Sequence, residues 1–256
     1  MKLRNAIRAA GAAIVTFILA ASLCASGVQQ PKGFDKKVYN ASMALYASSV
    51  AEGIDSKFIC TVTAFKHVKG GYLLIGAGHC TSANDELPSD LTYSVADDIN
   101  QPVHSIRLLK SVMDEPLDYA IYFYPTKAKY PTIALGDESD VRVGGKTTDT
   151  NFSLGAAKMV SPGVIASVTL DNGGDVSGFY LVDEFGSHGA SGSAVVSEKT
   201  HKIIGLVIAG WDGATMPMVI EPITAVEKAM ADVTVYGVSQ SGGKTNIDVM
   251  LKGTKR

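Results

Sequence analysis

The sequence has little net charge and no dense run of basic residues. Its 23 Lys and Arg against 25 Asp and Glu leave a formal net charge of -2 at pH 7. Because proteins that bind nucleic acid present a concentrated basic surface, this class of partner is not expected. The chain also has no second His/Cys group at metal-ligand spacing, so neither a metal site nor a cofactor is predicted.

Helical periodicity is nearly absent from Phe58 onward. Short β-branched and aromatic runs alternate there with Gly, Asn, Asp and Pro, a pattern typical of antiparallel strands that build barrels or sandwiches. The 26 glycines agree with a turn-rich chain. The predicted strands are Phe58–Lys66, Tyr72–Ile75, Ser105–Leu109, Tyr119–Tyr124, Gly163–Leu170, Gly178–Val182, Ser193–Val196, Ile203–Ala209 and Met216–Val219.

These strands fall into two groups on either side of a charged, proline-marked stretch. We therefore predict a first barrel at residues 58–125, a connection at 126–140 and a second barrel at 141–222. Residues 28–57 are predicted to lead into the first barrel, with a helix in Phe34–Val50 because Val38, Ala41 and Leu45 follow helical spacing.

The carboxyl end changes in character. Thr224 lies three residues before Glu227, the spacing of a capping box, so a helix is predicted within residues 223–236. Residues 237–256 are rich in Gly, Ser, Lys and Thr and poor in apolar side chains. They are predicted to form a flexible tail.

The amino terminus has the pattern of an export signal. Lys2, Arg4 and Arg8 precede an uncharged apolar run from Ala9 to Ala25. Residues 1–27 are therefore predicted to be a signal peptide that directs the protein to a periplasmic or extracellular location. A spanning helix needs roughly 17 to 25 apolar residues, so an uncleaved membrane anchor is the alternative.

Removal of this segment leaves two cysteines, Cys60 and Cys80. An even pair in an exported protein suggests a disulfide, because oxidising compartments let such bonds persist. Closing a loop of this size stabilises a fold by about 3 kcal/mol in the chain-entropy model. Two buried free thiols are the alternative.

Two segments contain candidates for acid–base chemistry. His79 follows the apolar strand Tyr72–Ile75 on a glycine turn, a position suited to a general base, although a lone His beside a Cys is also a common structural feature. Asp118 directly precedes the strand Tyr119–Tyr124, where its carboxylate can accept a hydrogen bond from the imidazole and orient it. Asp114 is its nearest competitor.

A third segment, residues 186–196, places a serine among glycines just before an apolar strand. Gly189 and Gly192 permit backbone angles that side chains forbid, so the N–H groups of Gly189 and Ser191 can converge as an oxyanion hole. Ser191 needs a base to become a nucleophile, and His79 can supply it. Taken alone, the segment also fits an ordinary flexible Gly/Ser loop.

Together these segments resemble the trypsin/chymotrypsin-like serine peptidases, in particular the HtrA-type and glutamyl-endopeptidase-like bacterial branch. The order His79, Asp118, Ser191 is similar, as are the stretches 135–137, 161–165 and 204–210, so the resemblance covers roughly residues 60–230. It implies an all-β fold of two antiparallel six-stranded β-barrels with a short C-terminal helix. It also implies an endopeptidase that cleaves polypeptides through an acyl-enzyme, and a cysteine after the base that pairs with an upstream cysteine.

The departures from this family pattern are informative. Ala190 stands where trypsin-like zymogens have an aspartate, so their activation switch is not expected, and no PDZ domain is expected after the last helix. The resemblance places Phe185, Gly186, Ser187 and His188 on one wall of the substrate pocket. It places Ile208, Ala209 and Gly210 on the opposite wall.

The predicted pocket bears on specificity. Phe185 replaces the acidic residue of trypsins, so small or medium apolar side chains are expected rather than Arg or Lys, with an acidic or polar preference from His188 as the alternative. Two other functions share the predicted fold or residues. They are a catalytically silent exported binding protein and a non-peptidase hydrolase, which should show a Gly-x-Ser-x-Gly elbow that this sequence lacks.

Overall fold

A computed structural model describes residues 35–82, 84, 87–114, 117–168, 179–210, 218–230, 233–241 and 244–251. The predicted signal or anchor at residues 1–27 lies outside these residues, as do residues 28–34 of the predicted lead-in. The same holds for parts of three predicted strands, at residues 169–170, 178 and 216–217. Within the described ranges, no helix is both long and apolar enough to cross a membrane.

The chain forms two closed antiparallel β-barrels of six strands each, as the resemblance implied. The strands of the first barrel are β1 (Ser42–Ser49), β2 (Ile54–Val68), β3 (Gly71–Gly76), β4 (Thr92–Ala96), β5 (His104–Asp114) and β6 (Leu117–Pro125). Those of the second are β7 (Lys146–Asn151), β8 (Met159–Ser167), β9 (Tyr180–Val182), β10 (Ala194–Ser197), β11 (Ile203–Gly210) and β12 (Met218–Pro222). The first barrel has the strand order β1-β2-β3-β6-β5-β4 and the second β10-β11-β12-β9-β8-β7.

The remaining elements flank the barrels. Helix α1 (Lys36–Ala41) precedes β1, and helix α2 (Ile223–Met230) follows β12. Strands β13 (Val233–Ser241) and β14 (Lys244–Leu251) pair in a separate two-stranded sheet. Short 3₁₀ turns lie at Gly78–Cys80, Glu138–Asp140 and Ser153–Gly155.

Strand β3 is buried along its whole length because its two faces lie in two different cores. Leu74 faces the interior of the first barrel, whereas Ile75 packs in an apolar cluster shared by the two barrels. Successive side chains of a strand point to opposite faces, so a strand between two cores is apolar throughout and not alternating. The shared cluster brings the ends of β3 and β6 against the second barrel.

The prediction that residues 28–57 only lead into the first barrel was wrong. The helix ends at Ala41, and residues 42–49 form β1, which pairs with both β2 and β4 and closes the barrel. Met43 and Leu45 face the barrel core, and Ala44 packs on the opposite side. The small residues of this strand gave no clear alternation, because both of its faces are buried.

The C-terminal predictions also need correction. The helix spans Ile223–Met230, within the predicted segment 223–236, but residues 233–236 of that segment begin β13. The helix already includes Thr224, which therefore lies inside the first turn. Residues 237–241 and 244–251, predicted as part of a flexible tail, fall in the paired strands β13 and β14. Their β-branched runs on either side of Gly242-Gly243 are a hairpin signal that the polar composition obscured. Residues 252–256 of that tail lie outside the described part.

Candidate active site

His79 and Asp118 are joined by two hydrogen bonds. The imidazole Nδ1 lies 2.6 Å from Oδ2 of Asp118, and the backbone N–H of His79 donates to Oδ1 at 2.7 Å. His79 occupies the 3₁₀ turn after β3, and Asp118 lies at the start of β6. Both carboxylate oxygens therefore hold the histidine, which fixes the position of its ring and leaves Nε2 for another partner.

Asp118 and its competitor Asp114 lie in different environments. The side chain of Asp118 is 18% exposed and turned toward His79. Asp114 is exposed at the end of β5, where it pairs in register with Leu117. Of the two carboxylates, only Asp118 contacts the imidazole.

Cys60 and Cys80 form a disulfide that connects β2 to the turn containing His79. The bond confirms the pairing expected from the sequence. It also removes the alternative of two free thiols. The Cys60, Cys80 and His79 ligand atoms lie within 4.8 Å of one another, but a disulfide offers no thiolate to a metal ion.

The loop that contains Ser191 packs against β2 and the end of β3. The N–H of Thr61 donates to the carbonyl of Ser191 at 2.9 Å, and the Thr61 hydroxyl donates to the carbonyl of Gly189 at 2.7 Å. Gly192 has φ of +81°, and an added Cβ there would lie 2.4 Å from the Thr61 carbonyl oxygen and 2.7 Å from the N atom of Ala77. Only glycine fits this contact, which holds the Ser191 loop beside the segment that leads into His79.

The peptide group between His188 and Gly189 has a defined orientation. Its carbonyl accepts a hydrogen bond from the N–H of Leu154 at 2.6 Å, and Gly189 has φ of +97°. Because a trans peptide directs its C=O and N–H oppositely, the Gly189 N–H points away from Leu154. No acceptor among the described residues takes the N–H of Gly189 or of Ser191. Two backbone donors next to the serine thus remain available to a ligand.

Side chains from the end of β7 and the turn after it form a hydrogen-bond network with this loop. The Ser193 hydroxyl donates to Asp149 at 2.8 Å, and the amide of Asn151 donates to the same carboxylate. The side-chain Oδ1 of Asn151 accepts from the hydroxyl of Ser153, whose oxygen in turn accepts from the N–H of Ser187. Ala190 has no carboxylate, so it cannot form the ion pair with a newly freed amino terminus that activates trypsin-like zymogens. The hydrogen-bond network stabilises the loop without that ion pair.

Asp149 is fully buried within that network. Burial raises the pKa of its carboxyl from 3.8 to about 6, although hydrogen bonds from Asn151, Ser193 and Ser161 lower it. The sequence analysis did not identify Thr61, Asp149, Asn151 or Ser153. The only available signal was a charged residue within the polar run 147–151, which lies in a strand that was not predicted.

The residues predicted for the two pocket walls differ in their surroundings. Phe185 and His188 are exposed, and the carbonyl of Phe185 accepts from the hydroxyl of Ser161 at 2.8 Å. On the other wall, Ala209 and Gly210 pair with β12, and Ile208 is half-buried. In the part of the chain that the structure describes, the opposite edge of these two residues has no strand partner, so it can pair with an extended peptide.

Met218, which was not predicted, lies between the two walls. An added Cβ at Gly186 would lie 2.7 Å from Cε of Met218, and one at Gly210 would lie 3.3 Å from its Sδ. The Met218 side chain is buried, at 4% exposure. Its thioether therefore occupies the space between Gly186 and Gly210.

Comparisons with known proteins agree with this architecture. No protein-family model and no curated protein matches the chain. Among solved structures it is similar to the HtrA-type protease AlgW with a tripeptide, with a TM-score of 0.60 and 17% identity. That match covers 79% of this chain and 65% of the AlgW chain, so the chain spans about two thirds of that protein.

It is also similar to the active form of the Rv3671c protease from M. tuberculosis, with a TM-score of 0.59 and 12% identity. That match covers 76% of this chain and 81% of the other. At such identities the comparisons establish architecture and not activity. The chain therefore has the chymotrypsin-like double β-barrel fold, which it shares with trypsin-like serine proteases.

Proposed function

We propose that this protein is a serine endopeptidase that cleaves polypeptides through an acyl-enzyme. The observation that carries the proposal is the pairing of His79 Nδ1 with Asp118 at 2.6 Å. A carboxylate in this position fixes the imidazole tautomer that leaves Nε2 unprotonated, as a general base requires. The nearby loop contributes a serine and two backbone N–H groups without partners among the described residues.

In this mechanism Ser191 Oγ attacks the scissile carbonyl carbon while Nε2 of His79 takes its proton. The negative charge on the carbonyl oxygen is stabilised by the N–H groups of Gly189 and Ser191, each worth about 3 to 4 kcal/mol of barrier lowering. His79 then gives the proton to the leaving amine, and the acyl-enzyme forms. Water, deprotonated by His79, hydrolyses the ester and regenerates Ser191.

Labelling with a fluorophosphonate probe tests this assignment. We expect the wild-type protein to label at Ser191, Ser191→Ala not to label, and His79→Ala to label at least about 10³-fold more slowly, because the hydroxyl then lacks its base. Hydrolysis of an unstructured protein should fall in parallel. Ser105→Ala, the same change at an exposed serine of β5, is the matched control. Unchanged labelling of the Ser191 variant would contradict the proposal, and an unlabelled wild type would favour a silent binding protein.

We also propose that the substrate residue before the cleaved bond has a small side chain, because Met218 lies between the pocket walls. Met218→Ala should raise kcat/KM for substrates with Leu or Phe at this position by about 10-fold or more, relative to kcat/KM for the substrate with Ala. The shorter side chain opens space in which one or more additional methylene groups of the substrate can be buried. A peptide series that varies only this residue measures the ratio.

Met113→Ala, at an exposed methionine of β5, is the control for this change. Met218→Leu keeps nearly the same volume and should keep the wild-type preference. A ratio that is the same in wild type and Met218→Ala would show that another group sets the pocket depth.

We further propose that the protein acts outside the cytoplasm. The amino-terminal pattern at residues 1–27 and the Cys60–Cys80 disulfide support this location. Fractionation of the producing cells tests this location, and recovery of the protein in the cytoplasm would contradict it. Sequencing the amino terminus of the exported protein then distinguishes cleavage, with a start near Val28, from an anchor, with Met1 retained.

A further inference from the structure

Glu221 is a buried carboxyl that links the two barrels at the candidate site. It lies on β12 of the second barrel, within the otherwise apolar run Met218–Pro222, and has 0% exposure. Its Oε2 accepts a hydrogen bond from the backbone N–H of Asp118 at 3.0 Å, across 103 residues of sequence. Its Oε1 has no hydrogen-bond partner among the described residues.

The surroundings of Glu221 are mostly apolar. Ile220 points into the core of the second barrel, so Glu221 points to the opposite face, toward the cluster between the barrels. The titratable or charged groups on the neighbouring elements are Asp118 and Tyr119 of β6, His79 beyond Asp118, Lys110 and Asp114 of β5, Tyr180 of β9, and Glu227 and Lys228 of α2.

This environment favours the neutral form of the acid. Burial raises the pKa of Glu221 from 4.5 to about 8, and the negative charge of Asp118 adds to the increase, although the Asp118 N–H lowers it. Oε1 also has no donor that could compensate a negative charge, which disfavours the ionised form further. At neutral pH, Glu221 therefore accepts from Asp118 without placing a second negative charge beside it.

We propose that Glu221 is a positioning residue for the His79–Asp118 pair, acting as a neutral acid that ties the start of β6 to the second barrel. The inference rests on the proposed function, because positioning matters only if His79 is the base for Ser191. Both carboxylate oxygens of Asp118 are engaged by His79, so its backbone N–H is the group left to anchor it. Ser191 belongs to the barrel that supplies the anchor.

The protonation of Glu221 is tested by titrating His79. Histidine Cε1 is labelled with ¹³C in a Ser191→Ala background, which prevents autolysis, and His79 is assigned with a His79→Gln variant. We expect Glu221→Gln to leave the pKa of His79 unchanged within about 0.3 units, because the amide replaces a neutral acid and still accepts a hydrogen bond. Glu227→Gln, at an exposed acid of α2, is the matched control.

A drop of about one unit or more in Glu221→Gln, with no such drop in the control, would overturn the proposal, because it would show that Glu221 is charged while His79 titrates. This readout needs no activity. If the wild type fails to label with fluorophosphonate, the proposed function fails, yet the titration still decides the state of Glu221.

Kinetics test the positioning role. With active sites counted by fluorophosphonate labelling, Glu221→Ala should lower kcat per labelled site about 10-fold or more with KM within about twofold, while Glu221→Gln retains kcat at pH 7. The pH profile of the wild-type kcat should also show an inflection near pH 8, because ionisation of Glu221 places a second negative charge next to Asp118. The profile of Glu221→Gln should lack this inflection. A smaller active fraction with unchanged kcat per site would show a merely structural role and would overturn the proposal.

Discussion

Replacing Asp118 by Asn is expected to lower kcat by about 10⁴-fold. The amide keeps the size of the carboxylate, but its NH₂ group cannot accept the Nδ1–H of His79. The imidazole then adopts the tautomer that places its proton on Nε2, the atom that must accept one from Ser191. The charge that stabilises the imidazolium is also lost. Steady-state hydrolysis at pH 7, normalised to folded protein, measures the effect.

Asp114→Asn is the matched control for this prediction. The same chemical change is made four residues away, at an exposed carboxylate that pairs in register with Leu117 and does not contact His79. We expect its kcat to stay within about twofold of wild type. The assignment fails if Asp118→Asn retains activity, or if the two variants lose comparable amounts.

The Glu221→Gln variant is expected to become more stable than the wild type as pH rises. The pKa of Glu221 is 4.5 in the unfolded chain and about 8 in the folded protein. Between these values the folded state holds a proton that the unfolded state has released, so the wild-type free energy of unfolding falls with pH. At about 1.4 kcal/mol per pH unit, the loss reaches about 5 kcal/mol above pH 8, and Gln does not titrate.

Urea unfolding of both proteins at a series of pH values between 4 and 9 measures this difference. Other carboxyls contribute to the pH dependence of both proteins. Burial raises the pKa of Asp149 and Glu184, whereas hydrogen bonds from Ser139 lower that of Asp137. The difference between variant and wild type isolates Glu221 from them. A difference that is constant with pH, as we expect for Glu227→Gln, would show that Glu221 ionises normally.

The residue pattern predicted an all-β fold, the resemblance carried by the three motifs implied the two barrels, and the motifs themselves contained the residues with direct chemical roles in the proposal. Alternating β-branched runs predicted strands in two groups. The glycine-flanked His79 and Ser191 could be identified because their local segments are unusual in composition. The sequence was insufficient for β1, because a strand that is buried on both faces and built from small residues has no period of two.

The residues that support the candidate site could be identified only from the packing of the two barrels. Thr61 contacts Gly189 across 128 residues of sequence, and Glu221 reaches Asp118 across 103. Such pairs have no local signature in the sequence. Residue spacing and composition indicate the turns and the burial of one segment, but they do not indicate which distant segment packs against it. A buried Glu in an apolar strand is at most a signal that some partner exists.

By itself, therefore, the sequence determined the class of fold, the order of the His79, Asp118 and Ser191 segments, and the pair of cysteines available for a disulfide. The tertiary structure alone decided between Asp118 and Asp114, because only the packing of β6 beside the turn after β3 brings one carboxylate to the imidazole. It also placed Met218 between Gly186 and Gly210, and Glu221 at the backbone N–H of Asp118. These contacts arise where two barrels meet, and the free energy of that packing is distributed over residues far apart in the chain.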